Sequence, residues 1–364
     1  MSSEILVNDT SQWHIEQKQA TMDEELSASY VLRGMNGNSE LIIGDGAYPD
    51  ALGRAVSQLH NSTRTRGPIV NVGDGLGFNG PGIQRALPLS MLINLDLSPR
   101  LIEAQKERDP NRSIIQADAT RFPFADCSLE GVVANEIISD FLTYSFRTNQ
   151  LLAIINLIES HRIFPKNSIF SPEELRTVSD LIATTKQPSG VWTELIRIYQ
   201  AYDLPIPIDE KERKTTSVNV GAIRFLEELE RTLKPGGWAW ISEWGSSNDP
   251  SYTPNELELE GHSEYGISFD TLSQVGQMLG FDVEVVPLVK EIGVDLDQLY
   301  TCHHSEEHDG ALFLSRNEAL TMFPEEFEAH EDDFQHLGST DYFFYTFHVL
   351  KLKKRTSLPK AMRE

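Results

Sequence analysis

The run Val70 to Gly80, VNVGDGLGFNG, constrains this chain more than any other stretch. It places Gly73, Gly75 and Gly77 directly after a β-branched run and before a helical segment. Glycines at that spacing let the backbone approach a ligand closely and turn its amide groups toward it. A plain tight turn gives similar text, so the neighbours of the loop decide its meaning. About twenty residues on, a second strand ends at Asp96 in NLDLSP, where a carboxylate can accept hydrogen bonds from both hydroxyls of a ribose. A third ends at Asp118 of QADATRFPF, placed to meet an adenine edge, with Phe122 or Phe124 nearby.

Strand and helix signals alternate around the loop. PIVNV (68–72), MLINLDL (91–97), SIIQ (113–116) and GVVA (131–134) read as strands, and Ser98 to Arg108 as a helix with Ser98 as N-cap and Pro99 in its first position. This is the βαβ rhythm of a parallel sheet covered by helices. Between about Phe141 and Val218 the text is helical without strands, which reads as an insertion. The rhythm resumes with a helix at Gly221 to Leu233, a turn at Lys234 to Gly237 and a strand at Trp238 to Ser242. A helix at Phe269 to Leu279, a strand at Phe281 to Val289 and an aromatic strand from Asp341 close the chain. Ahead of the loop, Leu52, Ala55, Val56 and Leu59 recur at helical spacing, whereas residues 1–28 read as a polar, acidic arm, or a helix that packs only late, with no visible chemistry. The expected divisions are 1–66, an arm with lid helices; 67–140, the first part of a cofactor-binding domain; 141–220, a helical cap; and 221–364, the second part.

With 31 Lys+Arg against 55 Asp+Glu, the formal charge of −24 disfavours nucleic acid and anionic lipid and favours cationic partners. Cys127 and Cys302 make no disulfide framework. The first residues have neither a basic nor an apolar leader region, and no run reaches the ~18–20 apolar residues of a membrane span. The expectation is a cytoplasmic protein.

The glycine loop, Asp96, the Asp118–Ala119 pair and LKPGGWAWISEWG together resemble class I S-adenosylmethionine-dependent methyltransferases. The resemblance covers roughly Pro68 to Val289. It implies a Rossmann-like α/β fold with a seven-stranded sheet of order 3-2-1-4-5-7-6 and S-adenosyl-L-methionine as cofactor. The cofactor set it implies is Asn71, Gly73, Asp74, Gly75, Gly77, Asp96, Leu97, Asp118, Ala119 and Asn135. At Asn71 the family usually carries Asp or Glu, so the charge that would meet the methionine ammonium is missing, and Asp74 is a candidate to compensate. A dehydrogenase is the rival reading of the same loop, because Asp96 would equally suit an NAD ribose. The LKPGG turn and an antiparallel last strand favour the methyltransferase. VVANEIISDF, LDLSPRLIEAQKER, SEWG and GHSEYGISFDTLSQVGQMLGF are further similar to segments of the MidA-like family, which includes a protein arginine methyltransferase.

Asn135 and Glu136 follow the fourth strand, at the carboxyl edge where open α/β sheets bind ligands. Glu136 can hold a guanidinium through paired charge-assisted bonds or draw a proton from an amine. A capping Asn with a solvated acidic helix start gives the same letters. Glu243, after the fifth strand, is a second carboxylate candidate. Asp140, Tyr144, Trp244, His262 and Tyr265 are the candidate acceptor-side residues, with an indole or phenol suited to a sulfonium. Cys302, His303, His304 and His308 sit in what reads as an acidic loop with no second half to complete a zinc site, and EEFEAHEDDF lacks the glycine and spacing of a calcium loop, so no metal is expected. The expected activity is methyl transfer to a nitrogen of a basic protein or peptide. A small natural product or modified peptide methylated on N or O, and a non-catalytic assembly module, are the alternatives.

Overall fold

In a computed structural model of the chain, the residues described are 5–16, 48–63, 65–160, 172–183, 189–205, 215–247, 254–259, 261–293, 299–305, 310–315, 321 and 347–356. The elements begin with β1 (Leu6–Asn8), α1 (Ser11–Glu16), α2 (Tyr48–Asn61), β2 (Ile69–Val72), α3 (Asn79–Ala86), β3 (Leu92–Asp96), α4 (Pro99–Arg108), β4 (Ile114–Gln116) and β5 (Leu129–Asn135). Then come β6 (Thr143–Arg147), α5 (Thr148–Ser160), α6 (Pro172–Ala183), α7 (Ser189–Ala201), β7 (Thr215–Val218), α8 (Val220–Thr232) and β8 (Leu233–Ser246). The last are β9 (Glu256–Leu259), β10 (His262–Tyr265), β11 (Ile267–Ser268), α9 (Phe269–Met278), β12 (Phe281–Pro287), α10 (Leu288–Ile292), β13 (Leu299–Ser305), β14 (Gly310–Ser315) and β15 (Phe347–Lys354).

The central sheet runs β12-β15-β8-β5-β2-β3-β4, with the short β11 parallel beside β8. Numbered by their place in the expected sheet, the seven strands stand in the order 3-2-1-4-5-7-6. All neighbours are parallel except β15, which is antiparallel to both β8 and β12. Alternation within each strand feeds two cores. Val70, Val72, Val132, Ala134, Ala239 and Ile241 face one, whereas Ile69, Val133, Trp238 and Trp240 face the other. A sheet covered on both faces needs apolar residues at odd and even positions alike, which is why GVVA is apolar throughout and PIVNV is apolar apart from Asn71. Pro99 opens α4, and the Ser98 hydroxyl accepts from the amide of Leu101 at 3.3 Å, as the cap reading required.

Four expectations are corrected. The segment 141–220 is not purely helical, because β6 and β7 bracket it and pair antiparallel. Hydroxyls alternate with the core residues Tyr144, Phe146 and Val218: Ser145 meets Ser217 at 2.8 Å, and Thr148, at the start of α5, meets Thr216 at 2.7 Å. Cross-strand Ser and Thr pairs support a sheet while hiding it from hydropathy. The same segment shares the main core, since Trp192, Leu195 and Ile196 pack in one cluster with Val132 and Ala134. The beginning of the chain is also more than an arm, because β1 adds a third strand to β6. The strand after α9 stops at Pro287 and gives way to α10. Finally, the cysteine–histidine run 302–304, read as loop, lies in the strand β13, which pairs with β14. His308, the run 325–334 and residues 341–346 of the last strand lie outside the described residues.

Candidate active site

The carboxyl ends of β2, β3 and β5 open into one cavity lined by Gly73, Gly75, Asp96, Leu97, Asp118, Ala119, Glu136 and Asp140. Its roof comes from the start of the chain, with Thr10, Trp13 and His14, and from Phe141, Leu142 and Arg224.

The glycine loop is shaped by its own constraints. Gly73, Gly75 and Gly77 all have positive φ, at 63°, 52° and 83°, a region that favours glycine. A Cβ on Gly73 would stand 2.8 Å from Ile137, and one on Gly77 would collide with Arg112. Beneath the loop lies a buried polar network. Gln105 donates to the carbonyl of Gly75 at 2.9 Å and to Asp96 Oδ2 at 3.1 Å, so one side chain ties the loop to the strand-end carboxylate. Asp96 Oδ1 accepts from the amide of Ser98 at 3.0 Å.

Asp96 is buried, and burial pushes its carboxyl up to about 6, against the pull of the Ser98 amide. Each of its oxygens takes one of these two donors and retains acceptor capacity, a deficit that a pair of ribose hydroxyls would fill. A prediction follows from the sign of this shift. Hydroxyl donors need the ionised carboxylate, which prevails above pH 7 and falls to about one part in ten at pH 5. Cofactor affinity measured by calorimetry should therefore be flat from pH 7 to 8 and about tenfold weaker at pH 5. His14 and Asp74 are the charges acting on Asp96, and a flat profile down to pH 5 would remove Asp96 from the ribose site.

Asn71 and Asp74 are placed differently from the cofactor set expected of them. Asn71 is buried in β2 and donates to Asn94 Oδ1 at 3.4 Å. Asp74 accepts from the amides of Asn79 and Gly80 at the start of α3 and pairs with Arg112 at 3.1 Å. Neither lines the cavity. Burial also raises Asp74, to about 6, with Arg112 opposing. Asp118 accepts from the amide and hydroxyl of Thr120, both at 2.8 Å, and this fixes it at the rim.

Glu136 stands at the cavity wall with φ of 53°, a left-handed conformation uncommon for a residue with a side chain. Its amide donates to the Ser242 carbonyl at 2.9 Å, and Asn135 Nδ2 donates to its Oε1 at 3.1 Å. Asn135 in turn accepts from the hydroxyls of Tyr48, at 2.7 Å, and Ser242, at 2.9 Å. Burial, then the charge of Glu136, holds the Tyr48 phenol well above its ordinary value. Tyr48 thus stays a donor, which turns the Asn135 amide so that its NH₂ faces Glu136. Sequence reading missed Tyr48, whose partner lies 87 positions away.

Glu243 is buried below this edge and does not line the cavity. It accepts from the amides of Ser139 at 3.1 Å and Trp244 at 2.9 Å, and burial together with the charge of Glu264 raises its carboxyl well above the usual range. Trp244 packs toward the far core, beside Phe347 in register. Tyr144 reaches Glu194 at 3.5 Å, where Glu194 pairs with Arg224. Tyr265 is buried at the end of β10. Of the expected acceptor-side residues, the fold brings together Asp140 and His262, 3.5 Å apart. Trp13 stacks on His262 with ring centroids 4.0 Å apart, and His14 lies 3.3 Å from Asp140. A tryptophan in a polar arm was the one available signal, because an indole needs a surface to cover.

Residues 70–152 match the family model described as "Methyltransferase domain". No curated protein matches the chain. Among solved structures, a S-adenosylmethionine-dependent methyltransferase from Mesorhizobium loti is similar at 10% identity and a TM-score of 0.37, over 82% of this chain and 96% of that one. Phosphoethanolamine N-methyltransferase 2 of Haemonchus contortus, solved with S-adenosyl-L-methionine, is similar at 13% identity and a TM-score of 0.39, over 97% of this chain and 68% of that one. Likeness at this level carries no argument; the family match and the loop–Asp96 geometry do. Among the described residues no helix is long and apolar enough to cross a membrane.

Proposed function

We propose that this chain, a class I S-adenosylmethionine-dependent methyltransferase, transfers the methyl group to a nitrogen of a basic protein or peptide that Glu136 holds in place. The observation that carries the reading is Glu136 itself, set in a left-handed conformation at the cavity wall and gripped through Asn135. The cofactor would be held by the Gly73–Gly75 loop, Asp96, Leu97, Asp118 and Ala119, and it supplies an electrophilic methyl on sulfur. The rest is the work of the protein's own side chains. Glu136 orients the nucleophilic nitrogen and offers a carboxylate to its positive charge, and positioning of this kind supplies much of a methyl-transfer rate. A guanidinium is too basic to lose its proton freely, so the carboxylate holds its plane. An amine must lose a proton before attack, and Glu136 is the group placed to take it. Asn135 and Tyr48 are positioning residues for Glu136. The segment 141–220 caps the acceptor side, since Phe141 and Leu142 roof the cavity.

The net charge of −24 supports a cationic acceptor. A second reading, a small amine, is favoured by the start of the chain, which crosses the cavity with Thr10 bonded to the Asp140 carbonyl at 2.6 Å and so narrows access. The test is incubation with S-adenosylmethionine labelled on its methyl, together with arginine- and lysine-rich peptides, small primary amines, and neutral alcohols and phenols. Label on the basic peptides is expected. Label on small amines alone supports the second reading, and label confined to the hydroxyl compounds contradicts both.

A further inference from the structure

On β10, His262 and Glu264 are two positions apart, so strand geometry sends both side chains to the same face. That face meets Asp140, in the turn Ile138–Asp140 after β5. His262 Nε2 lies 3.5 Å from Asp140 Oδ1 and 3.9 Å from Glu264 Oε1, and the three ligand atoms all lie within 4.8 Å of one another. The His262 side chain is only 4% exposed; its Nδ1 has no hydrogen-bond partner, and its Nε2 is turned toward the two carboxylates at ion-pair distance. An imidazole buried against two carboxylates balances them either as an imidazolium or by sharing a cation with them.

We propose that Asp140, His262 and Glu264 form a binding site for one divalent transition-metal ion of the zinc class at the wall of the cofactor cavity. Zinc bonds of about 2.0–2.2 Å place tetrahedral ligand atoms about 3.3–3.6 Å apart; the 3.5 Å between His262 and Asp140 falls in that range, and the 3.9 Å between His262 and Glu264 lies just outside it. One imidazole and two carboxylates suit zinc, manganese or iron, whereas an all-oxygen set would point to magnesium or calcium. The surroundings are those of a held ligand set. Trp13 stacks on His262 and fixes its plane, Ser139 Oγ donates to Glu264 Oε2 at 3.3 Å, and His14 stands beside Asp140. Three protein ligands leave a coordination position for water or an acceptor atom, the pattern of open rather than closed zinc sites. Asp140 lines the cavity, so the ion would border the space in which an acceptor lies. The site does not depend on the identity of that acceptor. It departs from the sequence expectation of no metal, because Asp140 and β10 are far apart in the chain.

The test uses the full chain, stripped with chelator and titrated with Co²⁺, with visible absorption as the readout and Zn²⁺ as competitor. One Co²⁺ per chain with d–d bands, displaced by Zn²⁺, is expected. His262→Ala should weaken binding by at least about 100-fold, and Glu264→Gln, which keeps size and fold, by about 10-fold or more. A His303→Ala, His304→Ala double variant should bind like the parent. Absence of binding at millimolar Co²⁺, or binding that both site variants leave unchanged, overturns the proposal, and loss of binding in the double variant alone would put the ion on β13.

Discussion

Glu136→Gln is expected to lower turnover on the true acceptor by about 100-fold or more, the range for a positioned acid–base group, while cofactor affinity stays within about threefold. Glutamine matches glutamate in size, and its side-chain oxygen can still accept from Asn135 Nδ2, so the left-handed backbone at this position is undisturbed. Only the charge is lost. Removing the carboxylate leaves a cationic nitrogen without its counter-charge in a site sheltered from water, where electrostatics are strongest. The split between steady-state turnover and calorimetric cofactor binding is the discriminating readout. A variant that turns over at the parent rate would make Glu136 a structural residue, and the basic-acceptor reading would then rest on net charge alone.

Asp96→Ala should weaken S-adenosylmethionine binding by about 1.5–3 kcal/mol, roughly 10- to 150-fold, the usual loss for hydrogen bonds to a charged group. The fold should survive, because Gln105 keeps its bond to the Gly75 carbonyl and the glycine loop stays tied to α4. Burial raises the Asp96 carboxyl to about 6. An acid whose folded-state value lies above its unfolded one contributes stability that is present at low pH and lost as pH rises through about 6. At pH 7.5 removal of this buried charge therefore offsets part of what is lost with its bonds. Asp96→Asn, which keeps the shape, should fall between the parent and the alanine variant. Parent-like affinity in both variants would exclude Asp96 as the ribose partner.

The sheet and its loop were legible because their signals are local. β-branched runs, a Ser–Pro helix start and glycines at positions of positive φ each follow from a few adjacent residues. The order of the strands came through resemblance rather than spacing. What escaped the sequence depends on distant partners. Gln105 looks like any surface helix residue until its amide is seen bridging Gly75 and Asp96, 30 and 9 positions away. Tyr48 opens a helix as an ordinary aromatic, and its role appears only once β5 brings Asn135 to its hydroxyl. β6 and β7 were hidden by Ser and Thr alternating with core residues. Glu243 looked catalytic because the strand read from sequence stops at Ser242, but it lies within β8, where its carboxylate accepts two backbone amides. Asn71 and Asp74 stand outside the cavity lining for a related reason: a loop's spacing fixes where its backbone goes, not which side chains turn into the cavity.

Calorimetric titration of the full chain with S-adenosylmethionine and, separately, with NADH reads whether the cavity of Gly73, Gly75 and Asp96 holds S-adenosylmethionine. The expected result is one S-adenosylmethionine bound per chain, with no heat from NADH. Saturable binding of NADH with none of S-adenosylmethionine would contradict the account.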